Sequence, residues 1–268
     1  MKQTDLVSTI KGIGPKRAEA FLKRGIKTIA DLLYFFPRRY LDRTVIGSLA
    51  QAKEEPATLR VTVLKKGVLR RIRSNMSLFV LPVQELKEDG TVIKGEVVFF
   101  NQPYLRDVFC ENDVYYLYGK VQIKNNKHQV YNPQFAHESK CEDFLIIAPV
   151  YQKIEGIPND TLKKVIAGVL KEAVTFEEVL PQRYRTQYGL LSLGEAFKNI
   201  HLPQTLEAVE AGKFRFKFEE ALKINMGILN NRSVNGASEI RLNNYDAIRR
   251  FVKNLPFELT RSQLSVCN

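Results

Sequence analysis

Between residues 56 and 135 the chain alternates apolar and polar side chains in several short segments. In Leu59-Arg60-Val61-Thr62-Val63 every second side chain is apolar, which is the pattern of a strand with one buried face. Further strand-like segments are residues 79–83, 92–100, 114–123 and 129–135. Turn-forming residues such as Asp89-Gly90 separate them. Five short strands over about 80 residues predict a small closed barrel or a sandwich.

One helix-like segment, residues 103–109, interrupts the strands between the third and the fourth. A five-stranded barrel with a helix at this place is the plan of the OB-fold, which binds oligonucleotides through its strands 2 and 3 and its loops L12 and L45. The flanking regions, residues 1–50 and 141–254, have helical patterns. The predicted fold class is therefore α+β: a five-stranded OB-fold β-barrel with an N-terminal helical lobe and a C-terminal helical segment.

The N-terminal lobe contains a glycine turn, Gly12-Ile13-Gly14, followed by Pro15, Lys16 and Arg17. Proline at the first helical position is typical of a plain helix start. The same turn is also typical of a helix-hairpin-helix, in which backbone N–H groups at a helix N-terminus meet a phosphate. Both interpretations stay open, and Lys16 and Arg17 are candidate phosphate contacts under the second.

Positive charge is concentrated in the first part of the chain. The whole chain has a net charge of +12, and residues 1–76 hold 17 basic and 6 acidic side chains. From Arg60 to Arg73 there are six cations and no acid, around the turn that would be L12 of the barrel. A solvated turn would explain this run, but its place favours phosphate contact. The candidate residues are Lys65, Lys66, Arg70, Arg71 and Arg73.

Three aromatic residues, Phe99, Phe100 and Tyr104, lie at the exit of the third strand. In an alternating strand only one of two consecutive rings points into the core, so at least one of the three is expected to be exposed. Proteins that bind single strands combine such rings with cations, because unpaired bases stack on the rings while phosphates contact the charges. We therefore predict base stacking by these three residues.

Several classes of function have no sequence support. The three cysteines are scattered, and the three histidines are dispersed, so neither a disulfide framework, nor a zinc site, nor a catalytic cluster is expected. The sequence contains no G-x-x-x-x-G-K-[ST] phosphate loop and no Ser-His-Asp signal, so this chain alone is not expected to hydrolyse ATP. It has no apolar run of about 18 residues and no secretory leader, which predicts a cytoplasmic protein without a membrane span.

A run of motifs gives the chain a family resemblance. Residues 32–44, LLYFFPRRYLDRT, resemble the signature near the N-terminus of RecG, the bacterial ATP-dependent DNA helicase family that remodels stalled forks and branched DNA. Further collinear matches are Gly12 to Lys16, Phe99-Phe100-Asn101, Pro149-Val150-Tyr151, Ile200-His201-Leu202-Pro203, residues 214–220 and residues 255–263. One departure is Asn132-Pro133-Gln134, where family members often have His-Pro-Glu.

The resemblance implies a wedge function for the barrel, which in RecG splits strands at the fork. The rings matching Phe100 and Tyr104 would stack on bases at the branch point, and Arg38 and Arg39 would join the phosphate contacts. It also implies four regions: a basic lobe over 1–50, the OB-fold wedge over 51–140, a mainly helical linker over 141–254 and the start of the first helicase domain over 255–268. In that last region Phe257 and Gln263 would lie near the nucleotide.

The partners implied are branched DNA such as replication forks and Holliday junctions, single-stranded DNA, and single-strand-binding protein. A monomer associated with the bacterial nucleoid is expected. ATP and Mg²⁺ would serve the helicase that the chain resembles, with no cofactor in this chain. Two alternatives stay open: a freestanding OB-fold protein that binds single-stranded DNA or RNA, and a protein-interaction scaffold whose aromatic residues dock a partner.

Overall fold

The computed structural model describes residues 2–51, 55–73, 76–124, 126–172, 174–234 and 245–267. The chain divides into two compact units, Met1–Phe216 and Lys217–Asn268, and the boundary falls within one long helix. The described α-helices are α1 Pro15–Lys23, α2 Ile29–Leu33, α3 Cys141–Phe144, α4 Asn159–Lys171, α5 Gln182–Gln187, α6 Leu193–His201, α7 Leu206–Val234, α8 Tyr245–Lys253 and α9 Arg261–Cys267. The strands are β1 Arg39–Asp42, β2 Ala57–Val63, β3 Val68–Arg73, β4 Met76–Leu86, β5 Val92–Phe100, β6 Val114–Gly119, β7 Val121–Lys124, β8 Lys127–Tyr131, β9 Gln134–His137 and β10 Ile147–Val150.

The predicted five-stranded barrel is confirmed. Strands β6 and β7 are consecutive halves of the predicted fourth strand, and β8 and β9 are halves of the fifth. The ladder runs β7-β8-β5-β4-β2-β6-β9. The fourth strand pairs with β2 through its first half, β6. Its two halves, β6 and β7, pair with the two halves of the fifth strand, β9 and β8, and this pairing closes the ring. A short 3-10 helix, Pro103–Asp107, occupies the predicted helical interruption.

The barrel core follows the period-two pattern of the sequence. Leu59, Val61 and Val63 of β2 are buried, as the alternation predicts. They pack with inward side chains of the other strands, which are Phe79, Leu81, Val83, Val97, Phe99, Leu117 and Val130. Gly67, in the turn after β2, is required there because a Cβ atom would come within 2.3 Å of the Phe79 ring.

One prediction about the barrel is wrong. The sequence suggests a charged turn over residues 65–73, whereas Val68–Arg73 forms strand β3, paired antiparallel with β4. Its sequence, VLRRIR, does not alternate apolar and charged residues, and Val68, Leu69 and Ile72 are all exposed, so both faces of this arm contact solvent. This strand therefore has neither the alternation nor the buried face by which a strand is recognised in a sequence.

The helices before and after the barrel share one hydrophobic core. Residues that precede the barrel in sequence pack in this core with residues that follow it. The first group is Phe21, Ile29, Leu32 and Leu33, and the second is Ile154, Ile157, Leu162, Ile166, Val169 and Phe197. Thr28 and Asp31 form a reciprocal capping box at the start of α2. Strands β1 and β10 pair antiparallel, one entering and one leaving the barrel, and so join the barrel to this helical layer.

His201 ties three parts of the helical layer together. Its Nε2–H donates to the carbonyl oxygen of Leu33 over 2.7 Å, and its Nδ1 therefore accepts the hydroxyl of Tyr151 over 2.9 Å. The side chain is fully buried. Burial lowers the pKa of His201 to about 4, so the ring is neutral at physiological pH. This histidine is a packing residue, as the dispersed histidines suggest.

Candidate nucleic-acid interface

A groove of about 460 Å³ lies on the outer face of the barrel. It crosses five strands, β3, β4, β5, β7 and β8. Its lining residues are Arg70, Ile72, Met76, Leu78, Val80, Glu96, Val98, Phe100, Lys124, Lys127, Gln129 and Tyr131. Because side chains alternate across a strand, every second residue of β5 contributes to the groove while its neighbours fill the core.

Phe100 lies in the groove with one ring face covered. Its ring stacks on Tyr131 of β8, with centroids 5.8 Å apart and planes 14° apart. The Tyr131 hydroxyl donates to Gln129, whose amide donates to Glu96 over 2.8 Å. Lys127 donates to the same carboxylate over 2.6 Å. The ring pair is therefore held by a connected row of polar groups along the groove.

Asn132 links this ring to the segment that carries Tyr104. Its Oδ1 accepts the backbone N–H of Phe100 over 2.9 Å and, over 3.4 Å, the side-chain amide of Gln102. Gln102 in turn accepts the hydroxyl of Tyr104 over 2.9 Å. Asn132 has a φ of +42°, a left-handed conformation that asparagine tolerates better than most residues. Tyr104 is 67% exposed, so both edges of the site present aromatic surface.

Phe99 does not belong to this site. Its ring is buried in the barrel, stacked 5.8 Å from Phe109 and 6.3 Å from Phe79. The strand can expose only one of two consecutive rings, and it exposes Phe100. The prediction that Phe99 stacks on a base is therefore corrected: this ring stabilises the barrel.

The cations of the groove are only partly neutralised. The hydrogen bond from Lys127 is the main reason that the pKa of Glu96 lies below its usual value, so this carboxylate is charged and offsets Lys127. Arg70 and Lys124 have no carboxylate within 4 Å among the described residues. The groove thus combines three cations and one carboxylate with the partly exposed ring of Phe100.

The other predicted phosphate contacts lie outside the groove. Lys65 and Lys66 are exposed in the turn between β2 and β3, Arg71 is exposed on β3, and the side chain of Arg73 lies outside the described residues. Arg38 and Arg39 are exposed at β1. Lys16 and Arg17 are exposed in the first turn of α1, where Arg17 donates to the carbonyl oxygen of Gly12 over 3.0 Å. Among the side chains of this set that the structure describes, only Arg70 lies in the groove with Phe100.

Phe257 and Gln263 belong to the second unit. Phe257 is 60% exposed. Gln263 accepts the backbone N–H of Thr260 over 2.9 Å through its side chain, which caps the N-terminus of α9. Their predicted place beside a nucleotide stays a prediction.

Sequence reasoning missed Tyr131, Asn132 and Gln102. Tyr131 alternates with the buried Val130, so its outward direction was available from the pattern. Its position against Phe100 depends on the register of β5 with β8, a parallel pairing between strands about 30 residues apart, which a local pattern does not encode.

Among the described residues no helix is long and apolar enough to cross a membrane, and no three acidic, cysteine or histidine side chains cluster as metal ligands would.

Comparisons with known proteins agree on one family. Residues 7–173 match the family model described as RecG wedge domain. The ATP-dependent DNA helicase RecG of Staphylococcus epidermidis is 30% identical over 259 residues, which cover 95% of this chain and 37% of that protein. The Staphylococcus aureus RecG is 30% identical over 268 residues, with 97% and 38% covered. A solved structure of RecG bound to a three-way DNA junction superposes with a TM-score of 0.75 at 25% identity, over 98% of this chain and 36% of that one. The chain thus spans little more than a third of the length of these relatives.

Proposed function

The chain belongs to the RecG wedge domain family, and from that premise we propose that it binds branched DNA in a structure-specific way, as the wedge region of a RecG-like helicase in DNA repair and recombination. The observation that carries this proposal is the outer groove of the barrel, where the Phe100–Tyr131 ring pair lies among uncompensated cations beside the exposed ring of Tyr104.

The groove is suited to the bases that a branch point leaves unpaired. One face of Phe100 is taken by Tyr131, so the other face is available to one base, and Tyr104 offers a second ring. Base stacking on an aromatic side chain contributes about 1–3 kcal/mol per base and does not depend on sequence. Arg70 and Lys124 would hold the phosphates of that strand. Inside a duplex the bases stack on each other, so the rings would find a base only at a branch point or at a duplex end.

We extend the phosphate contacts to further cations around the groove and in the N-terminal lobe. These are Arg38, Arg39, Lys65, Lys66, Arg71, Arg73, Lys16 and Arg17. Their contribution is electrostatic and independent of branch shape, and it makes the affinity depend on salt. Shape preference then comes from the rings, and most of the affinity comes from the charges.

The remaining proposals concern the longer protein. The relatives are ATP-dependent helicases, and we propose that ATP and Mg²⁺ act in a motor of which residues 255–268 are the start, with Phe257 and Gln263 near the nucleotide. The regions 1–50, 51–140 and 141–254 would be its basic lobe, its wedge and its linker. Single-strand-binding protein is a proposed partner, and the protein would act as a monomer at the nucleoid in the cytoplasm.

The test is equilibrium binding of this chain to a labelled three-way junction and to a duplex of equal length, each at about 50 and 200 mM salt. We expect tighter binding to the junction at both concentrations, because the ring contacts do not depend on counterion release. Equal binding that collapses with salt would refute the wedge proposal. A preference for plain single strands over the junction would indicate a freestanding single-strand-binding protein, and weak binding with a shallow salt dependence would indicate a scaffold.

A further inference from the structure

A second groove, of about 820 Å³, lies in the first unit beside the β1–β10 sheet. It is bounded by the N-terminus of α4, by α3 and by the start of β9, so it is separate from the groove on the outer face of the barrel. Five cations line it: Arg39, Arg43, Lys153, Lys163 and Lys164. Two carboxylates, Asp143 and Asp160, line it as well, and Lys163 lies 3.3 Å from Asp160.

Arg43 is a buried cation whose contacts are all neutral. It is 8% exposed, and its guanidinium lies 4.8 Å from the ring centroid of Phe144 and 5.7 Å from that of Tyr118. One Nη donates to the side chain of Gln134, while the buried Nε has no acceptor in the part of the chain that the structure describes. No carboxylate of that part lies within 4 Å, although the field of Asp160 reaches it. A buried cation without a paired anion is costly unless an anion binds nearby.

Within the described part of the chain, three of the other four cations of this groove have no carboxylate partner, whereas Lys163 is paired with Asp160. Arg39, Lys153 and Lys164 are exposed, and none has a carboxylate within 4 Å among the described residues. The 13-residue helix α4 begins at the groove, and its N-cap, Pro158, gives no side-chain acceptor to the first turn. Asp160 in the first turn of α4 offsets part of the positive charge of this helix N-terminus, so the attraction for an anion comes mainly from the side-chain cations.

The aromatic residues of this groove are not available to bases. Phe144 and Tyr151 are 5% and 6% exposed, and Phe135 packs against the barrel core. A groove with cations but no open ring suits phosphates whose bases are occupied elsewhere, and those are the phosphates of a duplex.

We propose that this groove binds backbone phosphates of a duplex arm of branched DNA, at a site separate from the groove that contains Phe100. The inference rests on the proposed function, because it assigns the second contact of the same ligand. Arg43 is the fixed guanidinium of the site, and Arg39, Lys153 and Lys164 complete it as mobile charges at the rim.

The rim lysines are the residues to change, because Arg43 packs between two rings and its replacement can unfold the chain. The variant is Lys153→Glu/Lys164→Glu. The matched control is Lys171→Glu/Lys198→Glu, which reverses two exposed lysines outside the groove, one of them on the same helix α4. Binding of both to a three-way junction, a plain duplex and oligo(dT) is measured by fluorescence anisotropy at about 50 and 200 mM salt.

Loss of two phosphate contacts lowers by about 1.8 the slope of the logarithm of the binding constant against the logarithm of the salt concentration. The fall in affinity between about 50 and 200 mM salt therefore becomes about 12-fold smaller. We expect this change on the junction and the duplex, an unchanged affinity for oligo(dT), and wild-type behaviour of the control variant. Identical curves for the two variants would overturn the proposal, and so would equal losses on oligo(dT).

Two further outcomes separate the sources of the effect. In the first outcome, inorganic phosphate at constant ionic strength raises the Tm of the wild type but not that of Lys153→Glu/Lys164→Glu, while both proteins bind duplex with equal affinity. The groove then binds small anions, and the duplex proposal is wrong. If the wild type shows no preference for junctions, the wedge proposal fails, yet the comparison on plain duplex still decides whether this groove holds phosphates.

Discussion

Replacement of Tyr104 by alanine tests the groove with little disturbance of the fold. The ring is 67% exposed, and its hydroxyl donates a hydrogen bond to Gln102. Its loss should therefore leave the Tm of the chain nearly unchanged. If the ring stacks on one base, its removal costs about 1–3 kcal/mol, which corresponds to an affinity for the junction lowered by about 5- to 140-fold.

Phe100→Ala should give a loss in the same range, because only the ring face opposite Tyr131 can take a base. The matched control is Phe214→Ala, which removes another half-exposed ring of the first unit, outside the groove. Binding of all three variants to the three-way junction and to an equal-length duplex is measured by fluorescence anisotropy, with the Tm of each recorded.

The result that refutes the reasoning is a loss of equal size on the junction and on the duplex. Such a loss would mean that the rings contribute to the shape of the barrel surface and not to the recognition of unpaired bases. An unchanged affinity for the junction would likewise show that neither ring contacts the DNA.

Three further results follow from the packing. Phe99→Ala should lower the free energy of unfolding by about 3–5 kcal/mol in chemical denaturation, since it leaves a cavity in the barrel; a change below 1 kcal/mol would contradict its core position. Asn132→Gly keeps the positive φ but removes the acceptor for the Phe100 N–H, so the free energy of unfolding should fall by about 1 kcal/mol in the same denaturation, whereas Asn112→Gly, at another positive φ, should leave it nearly unchanged. The pKa of His201 is about 4 in the folded chain and 6.5 when unfolded, so the unfolded state binds more protons between these pH values. The free energy of unfolding is therefore at its full value above about pH 6.5 and falls by up to about 3 kcal/mol as the pH drops to 4. His201→Gln should flatten this pH dependence in urea titrations.

The barrel could be predicted from the sequence because its strands carry a local signal. Leu59, Val61 and Val63 alternate with polar residues, and the structure buries those three side chains. The breaks within the fourth and fifth strands fall at Lys120 and at Asn132-Pro133, where the chain bends and changes partner. A local pattern does not contain that information, since it depends on which strand is the neighbour.

The candidate site was predicted in part, and the missing part is non-local. The charge run identified Arg70 with its neighbours as one cluster, but the alternation of β3 directs Arg70 into the groove and leaves Arg71 outside it. The place of Arg43 in the fold is not visible from the matched segment 32–44, because its burial against Phe144 and Gln134 depends on residues about 100 positions away. Residues Arg39–Asp42 were assigned no strand, since their partner, Ile147–Val150, follows the whole barrel in sequence.

The most direct measurement places a photoreactive 5-iodouracil at the branch point of the three-way junction, irradiates the complex with this chain, and maps the cross-linked residue by mass spectrometry. The account predicts a cross-link at Phe100 or Tyr104, and none at these residues when the same base is moved into the middle of a duplex arm. Cross-links from the branch point that map only to the exposed lysines and arginines outside the groove would contradict the claim that the barrel reads the branch with its rings.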